Sequence, residues 1–251
     1  MFLQEKEKHL WNFSEKVSSQ KLLSILLLKI VAFLGCRCSL LISVLKTCPS
    51  SSLPNVSYPL RFSYDCYWGR CKFCSDKETH LCLNKEYDIK RMIKFCIDAA
   101  SKSQIDGIYF LDSAIRPRDI RCFASEIINA GIRISWGTNL RFEKVFDDDD
   151  LIAVMKEAGC IFVKFGLESG SQRVLDIMNK GINVKIAASI ISKFRKHGIL
   201  VHVYVMAAYP GEKPEDRQMT RDFLLSAFSH PDNYSCSEFI LAVLHKLTAG
   251  I

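Results

Sequence analysis

No uncharged apolar run in this sequence is long enough to cross a membrane. The most apolar stretch, residues 22–45, is interrupted by Lys29 and Arg37, whereas a transmembrane helix needs about 20 consecutive apolar residues. A signal peptide fits poorly as well, because the polar leader is long and Lys29 breaks the apolar part. We interpret the stretch as an apolar helix or two packed on a main domain, and no membrane attachment is predicted.

The sequence also lacks a basic run interleaved with aromatic residues, the pattern typical of nucleic-acid binding. Residues 1–60 hold seven Lys or Arg against three Glu, although the net charge of the whole chain is only +7. The remainder is therefore nearly neutral, and no nucleic-acid partner is predicted. A hydrophobic content of 49% and a charged content of 24% indicate a folded chain with one sizeable core.

Cysteine, by contrast, is plentiful. The chain holds eleven, an odd number, and at 251 residues it is too long for a disulfide-stapled scaffold. Cys96, Cys122 and Cys160 lie in apolar periodic segments, where a free thiol acts as a small hydrophobic residue. We therefore predict a reducing, cytoplasmic setting.

The chain divides at a linker rich in proline and serine, "CPSSSLPNVSYP" at 48–59. We predict an apolar helical N-terminal segment with its linker at 1–57, and a main domain at 58–251. In the main domain, six predicted strands alternate with helices; the strands are 60–64, 107–111, 132–138, 160–168, 199–206 and a last one near 236–244. This α/β alternation predicts a parallel sheet with right-handed helical crossovers, either a partial barrel or an open sheet.

Polar residues follow successive predicted strands. They are Cys66, Cys71 and Cys74 after the first, Asp112 after the second, Asn139 and Arg141 after the third, and Glu168 at the end of the fourth. The carboxyl ends of parallel strands meet at one rim, where α/β proteins collect their chemistry. We therefore expect these side chains to line one site.

Strand alternation predicts a polar inner face. Lys164 and Glu168 share one face of the fourth strand, and His202 and Tyr204 share one face of the fifth. A polar face suits a lumen that holds a ligand better than it suits a packed barrel interior. A buried Lys164 would need a carboxylate partner, and Glu168 is the candidate.

The cysteine loop, "DCYWGRCKFCSDKETHLC" at 65–82, can be interpreted in four ways. Tightly spaced thiolates hold iron–sulfur clusters, while structural zinc would take Cys82 or His80 as a fourth ligand. A redox pair of Cys71 and Cys74 leaves Cys66 unexplained, and coincidental burial of three such close cysteines is improbable. Spacing alone leaves iron–sulfur and zinc open.

Three segments in order, "DCYWGRCKFCS", "FVKFGLESGSQRVLDIMNKG" and "GILVHVYVMAAYPGE", resemble the radical S-adenosylmethionine (radical SAM) superfamily. The likeness covers about 58–251 and is greatest to the cobalamin-associated branch. It implies a partial (β/α)6 TIM-like barrel. It also implies a 4Fe–4S cluster on Cys66, Cys71 and Cys74, with the fourth iron left to SAM.

The implied activity is reductive cleavage of SAM to a 5′-deoxyadenosyl radical, used for hydrogen abstraction or for methyl or methylthio transfer. An electron donor such as a flavodoxin or ferredoxin is implied as well. By resemblance, Phe73 packs near the adenine, Glu168 contacts the ribose or amino group, Arg173 meets the SAM carboxylate and Asp112 guides the amino group. The predicted cofactor-binding residues are Phe73, Asp112, Asn139, Arg141, Glu168, Arg173 and His202.

The sequence departs from the family pattern in three places. The first cysteine gap has four residues instead of the commonest three, and "YFLDS" (109–113) replaces the usual glycine pair. Residues 1–57 show no strand–helix alternation and are too short for the branch's cobalamin-binding domain, so cobalamin is not assigned. Two alternatives stay open: a zinc-stabilised, non-catalytic binding module using Cys66, Cys71, Cys74 and Cys82, and a relative without turnover. The substrate is not predicted.

Overall fold

The computed structural model of the protein describes residues 57–63, 66–74, 89–102, 105, 107–228 and 233–239. All of them belong to one compact unit, Cys48–Ile251. The predicted N-terminal segment, apart from residue 57, lies outside the described residues, as do His80 and Cys82. No helix in the described ranges is long and apolar enough to cross a membrane.

Six parallel strands form one sheet in chain order, β1 to β6. They are β1 (Ser57–Leu60), β2 (Gly107–Phe110), β3 (Ser135–Leu140), β4 (Cys160–Glu168), β5 (Leu200–Ala207) and β6 (Tyr234–Glu238). Each strand pairs with the next one along the chain, so the order never reverses as it does in a doubly wound sheet. The predicted α/β fold with a partial (β/α)6 barrel is confirmed.

Helices connect the strands. They are α1 (Ile89–Ser101), α2 (Pro117–Asn129), α3 (Asp149–Glu157), α4 (Gln172–Ile177), α5 (Val184–Lys196) and α6 (Pro214–Ala227), with a 3₁₀ turn at Lys144–Phe146. Two helix starts follow from side-chain caps: Asp148 accepts from the amide of Asp150 at 3.0 Å, and Asn183 accepts from the amide of Lys185 at 2.9 Å.

The helices cover one face of the sheet. Val163, Phe165 and Leu167 of β4 are fully buried there, and Val203 of β5 joins them in the same hydrophobic core. Phe162, Lys164 and Gly166 point the other way and are only partly buried. The predicted alternation is therefore confirmed. We call the side of the sheet opposite the helices the inner face.

The first and third strands both begin three residues from the predicted position, for local reasons. The first strand is Ser57–Leu60 instead of 60–64, because the amides of Phe62 and Ser63 donate to the Asp112 carboxylate and so leave the ladder. The third strand begins at Ser135 instead of residue 132, because the amide of Ile132 still donates to Ile127 at the end of α2.

Candidate active site at the strand ends

The chain that leads into the cysteine loop is fixed by Asp112, at the end of β2. Its Oδ2 accepts from the amide of Phe62 at 2.9 Å, and its Oδ1 accepts from the amide of Ser63 at 2.6 Å. Burial raises the pKa of the Asp112 carboxyl group, while these hydrogen bonds act in the opposite direction. Asp112 thus positions the loop; its predicted role toward the SAM amino group stays a prediction.

Three free thiols lie on the loop after β1. Cys71 is buried, whereas Cys66 and Cys74 are partly exposed. The four-residue gap between Cys66 and Cys71 contains Gly69, whose φ of +57° places it in the left-handed region. A turn that glycine permits therefore accommodates the longer gap.

Trp68 docks the cysteine loop on residues 178–181, which follow α4 and which we call the docking segment. The Trp68 indole donates to the carbonyl of Asn179 at 3.0 Å, and the Asn179 side chain donates to the carbonyl of Arg70 at 3.0 Å. The Trp68 ring lies against Gly181, where a Cβ would fall 2.0 Å from a ring carbon. These contacts therefore hold the cysteine loop against a segment that lies 111 residues away in sequence.

Arg141, which follows β3, joins the cysteine loop to the docking segment. Its side chain is 4% exposed, and Nη2 donates to the carbonyl of Lys180 at 2.6 Å. Nη1 lies 4.0 Å from Cys71 Sγ, and the guanidinium carbon lies 4.5 Å from the Trp68 ring centroid. Glu143 Oε1 lies 3.5 Å from Arg141 Nε. Burial raises the pKa of the Cys71 thiol, and the charges of Lys180 and Arg141 lower it.

Glu168, at the end of β4, is paired with Lys180 of the docking segment. Lys180 Nζ lies 2.7 Å from Glu168 Oε1 and 5.4 Å from the centroid of the Phe73 ring. Gly166 leaves the space for this pair, since a Cβ there would lie 2.5 Å from Glu168 Oε1. The expected pairing of Lys164 with Glu168 is wrong, because Lys180 reaches that carboxylate from another element.

Arg173, at the start of α4, is bound by Asp216 near the start of α6. Its Nη2 also donates to the carbonyl of Gly211 at 2.8 Å. Asp216 accepts from the Ser171 hydroxyl at 2.6 Å and from the amide of Lys213 at 2.8 Å. The Arg173 guanidinium, followed by the Ser171 hydroxyl, holds the pKa of the Asp216 carboxyl well below its usual range. Arg173 therefore has a carboxylate partner within the chain, and a role toward SAM stays a prediction.

Asp216→Asn should lower the free energy of unfolding by about 2 kcal/mol at pH 7, because hydrogen bonds to a charged carboxylate are each worth roughly 1.5–3 kcal/mol. The depressed pKa of Asp216 means that its stabilisation is present above pH 4 and is lost as pH falls further. Urea unfolding should therefore show the difference between the two proteins shrinking below about pH 4. A difference that stays constant to pH 2 would contradict this assignment.

The remaining two predicted residues lie along the strands. The Asn139 side chain donates to the carbonyl of Asp112 at 2.8 Å, close to the rim. His202 pairs in register with Lys164 of β4, so Glu168 lies four residues, or roughly 13 Å, further toward the strand ends. The structure thus brings Phe73, Cys71, Arg141 and Glu168 together through Lys180, and it places His202 lower on the inner face.

Sequence reasoning missed two charged residues of this site, Lys180 and Asp216. Lys180 follows α4 in "MNKG" and carries no local signal for its partner. Asp216 had a sequence signal, because "KPED" is typical of a helix start. An acid at the third residue of the helix, here Asp216, accepts from the backbone amide of the residue before the helix, here Lys213.

The donor set at the cysteine loop fits an iron–sulfur cluster. Within the described residues, no three His, Cys, Asp or Glu side chains are grouped so as to hold a single metal ion. Burial raises the pKa of the Cys71 thiol, and the positive charges of Lys180 and Arg141 oppose this rise in part.

The family model for the radical SAM superfamily matches residues 61–224. The chain belongs to the radical SAM superfamily. The match begins in the segment that leads to the cysteine loop and ends in α6, so it contains every described residue of the site.

Similar proteins include the anaerobic magnesium-protoporphyrin IX monomethyl ester cyclase of Rubrivivax gelatinosus, 24% identical over 155 residues, with 60% of this chain and 27% of the relative covered. An uncharacterized methyltransferase of Pyrococcus horikoshii is 26% identical over 155 residues, and this match covers 61% of this chain and 33% of the relative. The chain thus spans a third or less of the length of these two relatives.

Among solved structures, the radical SAM methyltransferase TsrM of Kitasatospora setae, with cobalamin and a [4Fe-4S] cluster bound, matches with a TM-score of 0.61. The identity is 16%, and the match covers 76% of this chain and 40% of TsrM. This likeness supports the fold.

Proposed function

We propose that this radical SAM protein binds a 4Fe–4S cluster through Cys66, Cys71 and Cys74, and binds SAM at the adjoining strand ends. One observation carries the proposal. Arg141 contacts both Cys71 and the carbonyl of Lys180, so the loop with the three thiols lies beside the Glu168–Lys180 pair. A cysteine site and a charged site for a cofactor are thus contiguous, as the family chemistry requires.

When bound, the cluster and SAM supply one-electron cleavage of SAM for hydrogen abstraction or for methyl or methylthio transfer. This chain's residues position them. Arg141 and Lys180 hold positive charge beside Cys71, which offsets part of the rise that burial causes in the pKa of its thiol. Phe73, whose ring lies beneath Lys180, offers an aromatic edge for the adenine.

We assign the contact with the ribose or amino group of SAM to Glu168. When SAM binds, this contact replaces part of the present interaction between Glu168 and Lys180. Asp112 and Asn139 support the rim from beneath through their hydrogen bonds. Arg173 stays engaged with Asp216 and orients the start of α4, with the SAM carboxylate as a further partner. Because the two relatives are a cyclase and a methyltransferase, ring closure and methyl transfer are the candidate outcomes.

A flavodoxin or ferredoxin is the proposed electron donor, in a reducing cytoplasm that keeps the thiols free. Cobalamin is not part of the proposal. TsrM is described with cobalamin bound, but no described residue of this chain is assigned to that cofactor.

Anaerobic reconstitution with iron and sulfide should give a brown protein that forms 5′-deoxyadenosine from SAM and dithionite. Cys71→Ser should lose most of the bound iron and reduce this product to background, because a cluster iron loses its thiolate ligand. Cys122→Ser is the matched control, since Cys122 is exposed on α2. A colourless protein that retains one zinc per chain would instead support the zinc-binding alternative.

A further inference from the structure

A second group of polar side chains lies on the inner face, below the strand ends. Asn139, Lys164 and His202 occupy neighbouring positions on β3, β4 and β5 by register. Adjacent strands are about 4.8 Å apart, so the three side chains stand side by side across the sheet. Lys164 is four residues, or roughly 13 Å, from Glu168 along β4.

An aromatic shelf lies beside this row. The rings of Tyr109 and Phe162 are stacked, with centroids 5.6 Å apart and planes inclined by 24°. Phe162 lies across Gly137, where a Cβ would come within 2.2 Å of its ring. The shelf therefore depends on the absence of a side chain at Gly137, and it presents a flat apolar surface to the inner face.

Lys164 places a positive charge over this shelf. Its Nζ lies 5.0 Å from the Tyr109 ring centroid and 5.7 Å from that of Phe162. Among the described residues no carboxylate pairs with Lys164, and Glu168, the acid on the same face of β4, is neutralised by Lys180 at 2.7 Å. A partly buried cation without a counter-charge attracts an anion.

Hydroxyl and imidazole groups extend the row. The Tyr109 hydroxyl donates to Asn139 Oδ1 at 3.3 Å, and His202 Nε2 lies 2.9 Å from the Ser235 hydroxyl of β6. The site thus combines one ammonium, several polar groups and a flat apolar surface, which is the composition of a pocket for a planar acid.

We propose that this inner-face site binds the substrate as a small planar molecule bearing a carboxylate or phosphate, with its acidic group on Lys164 and its planar part on the Tyr109–Phe162 shelf. That the bound molecule is the substrate rests on the proposed function. By register the shelf lies two residues, or roughly 7 Å, further from the strand ends than Lys164.

The test compares three probes of one shape: 2-naphthoate, 2-naphthyl phosphate and the neutral 2-naphthamide. Binding to the full reconstituted chain is measured by ligand-observed NMR titration. At least one acid should bind about tenfold more tightly than the amide, because only the acids can form a charge-assisted contact with the Lys164 ammonium. Preference for one acid over the other distinguishes carboxylate from phosphate.

Lys164→Met should remove this preference, while Lys185→Met, which changes an exposed lysine on α5, should leave it intact. Equal affinity of wild-type protein for the acids and the amide would overturn the proposal without any variant. An unchanged preference in Lys164→Met would also overturn it.

The same preparations are assayed for 5′-deoxyadenosine formed from SAM and dithionite without added substrate. SAM cleavage with no preference for acids refutes the inner-face site alone. A preference for acids with no SAM cleavage refutes the proposed function and leaves the binding site standing.

Discussion

Gly181→Ala is expected to detach the cysteine loop from the docking segment. The variant should then bind much less iron than the wild type after reconstitution. A Cβ at Gly181 would lie 2.0 Å from one Trp68 ring carbon and 2.3 Å from another. The ring has little room to move, because Arg141 lies 4.5 Å from its centroid and its indole donates to Asn179. The backbone at Gly181 adds strain, since its φ is +68°.

Gly131→Ala separates the backbone strain from the collision. Gly131 ends α2 with a φ of +64°, and nothing lies within 4 Å of a Cβ built there. This control should lose only about 1–2 kcal/mol of unfolding free energy, the cost of a left-handed alanine, and should load iron normally. Iron per chain and tryptophan fluorescence report the outcome, and equal iron loading in the two variants would contradict the docking role of Gly181.

The sheet could be predicted well because its signals are local. Strand β4 runs over Cys160–Glu168 as expected, since alternation of apolar and polar residues is visible within nine positions. The rim was predictable for the same reason, because parallel strands bring their carboxyl ends together whatever their connections. The three cysteines and Glu168 then follow from their positions after the strands.

Contacts between distant segments could not be predicted. Lys180 pairs with Glu168 because residues after α4 turn back toward the rim, and no periodicity encodes that return. Asp112 was expected to face a cofactor, but its carboxylate takes backbone amides of the chain leading to the cysteine loop, 49 and 50 residues away. That choice depends on the end of β1, which the sequence pattern placed four residues too late.

Arg141→Met is expected to have an effect as large as that of Gly181→Ala, for an electrostatic reason. The variant leaves the Glu143 carboxylate and the Lys180 carbonyl without their buried partner, and it removes a positive charge 4.0 Å from Cys71 Sγ. Leaving a buried hydrogen-bonding group without its partner costs roughly 1–3 kcal/mol. We expect a fall of about 2 kcal/mol in the free energy of unfolding, together with weak iron retention.

Arg141→Lys tests whether charge alone is sufficient. A lysine ammonium is a point donor, whereas the planar guanidinium reaches Lys180, Cys71 and the Trp68 face at once. The lysine variant should therefore recover only part of the iron, and Arg121→Met, an exposed arginine on α2, should behave as wild type.

In whatever cluster remains, Arg141→Met should shift the midpoint potential to more negative values, because the reduced form loses a nearby positive charge. If Arg141→Lys restored both the iron content and the midpoint potential of the wild type, the position of the cysteine loop would depend on the positive charge and not on the several hydrogen-bond donors of the guanidinium.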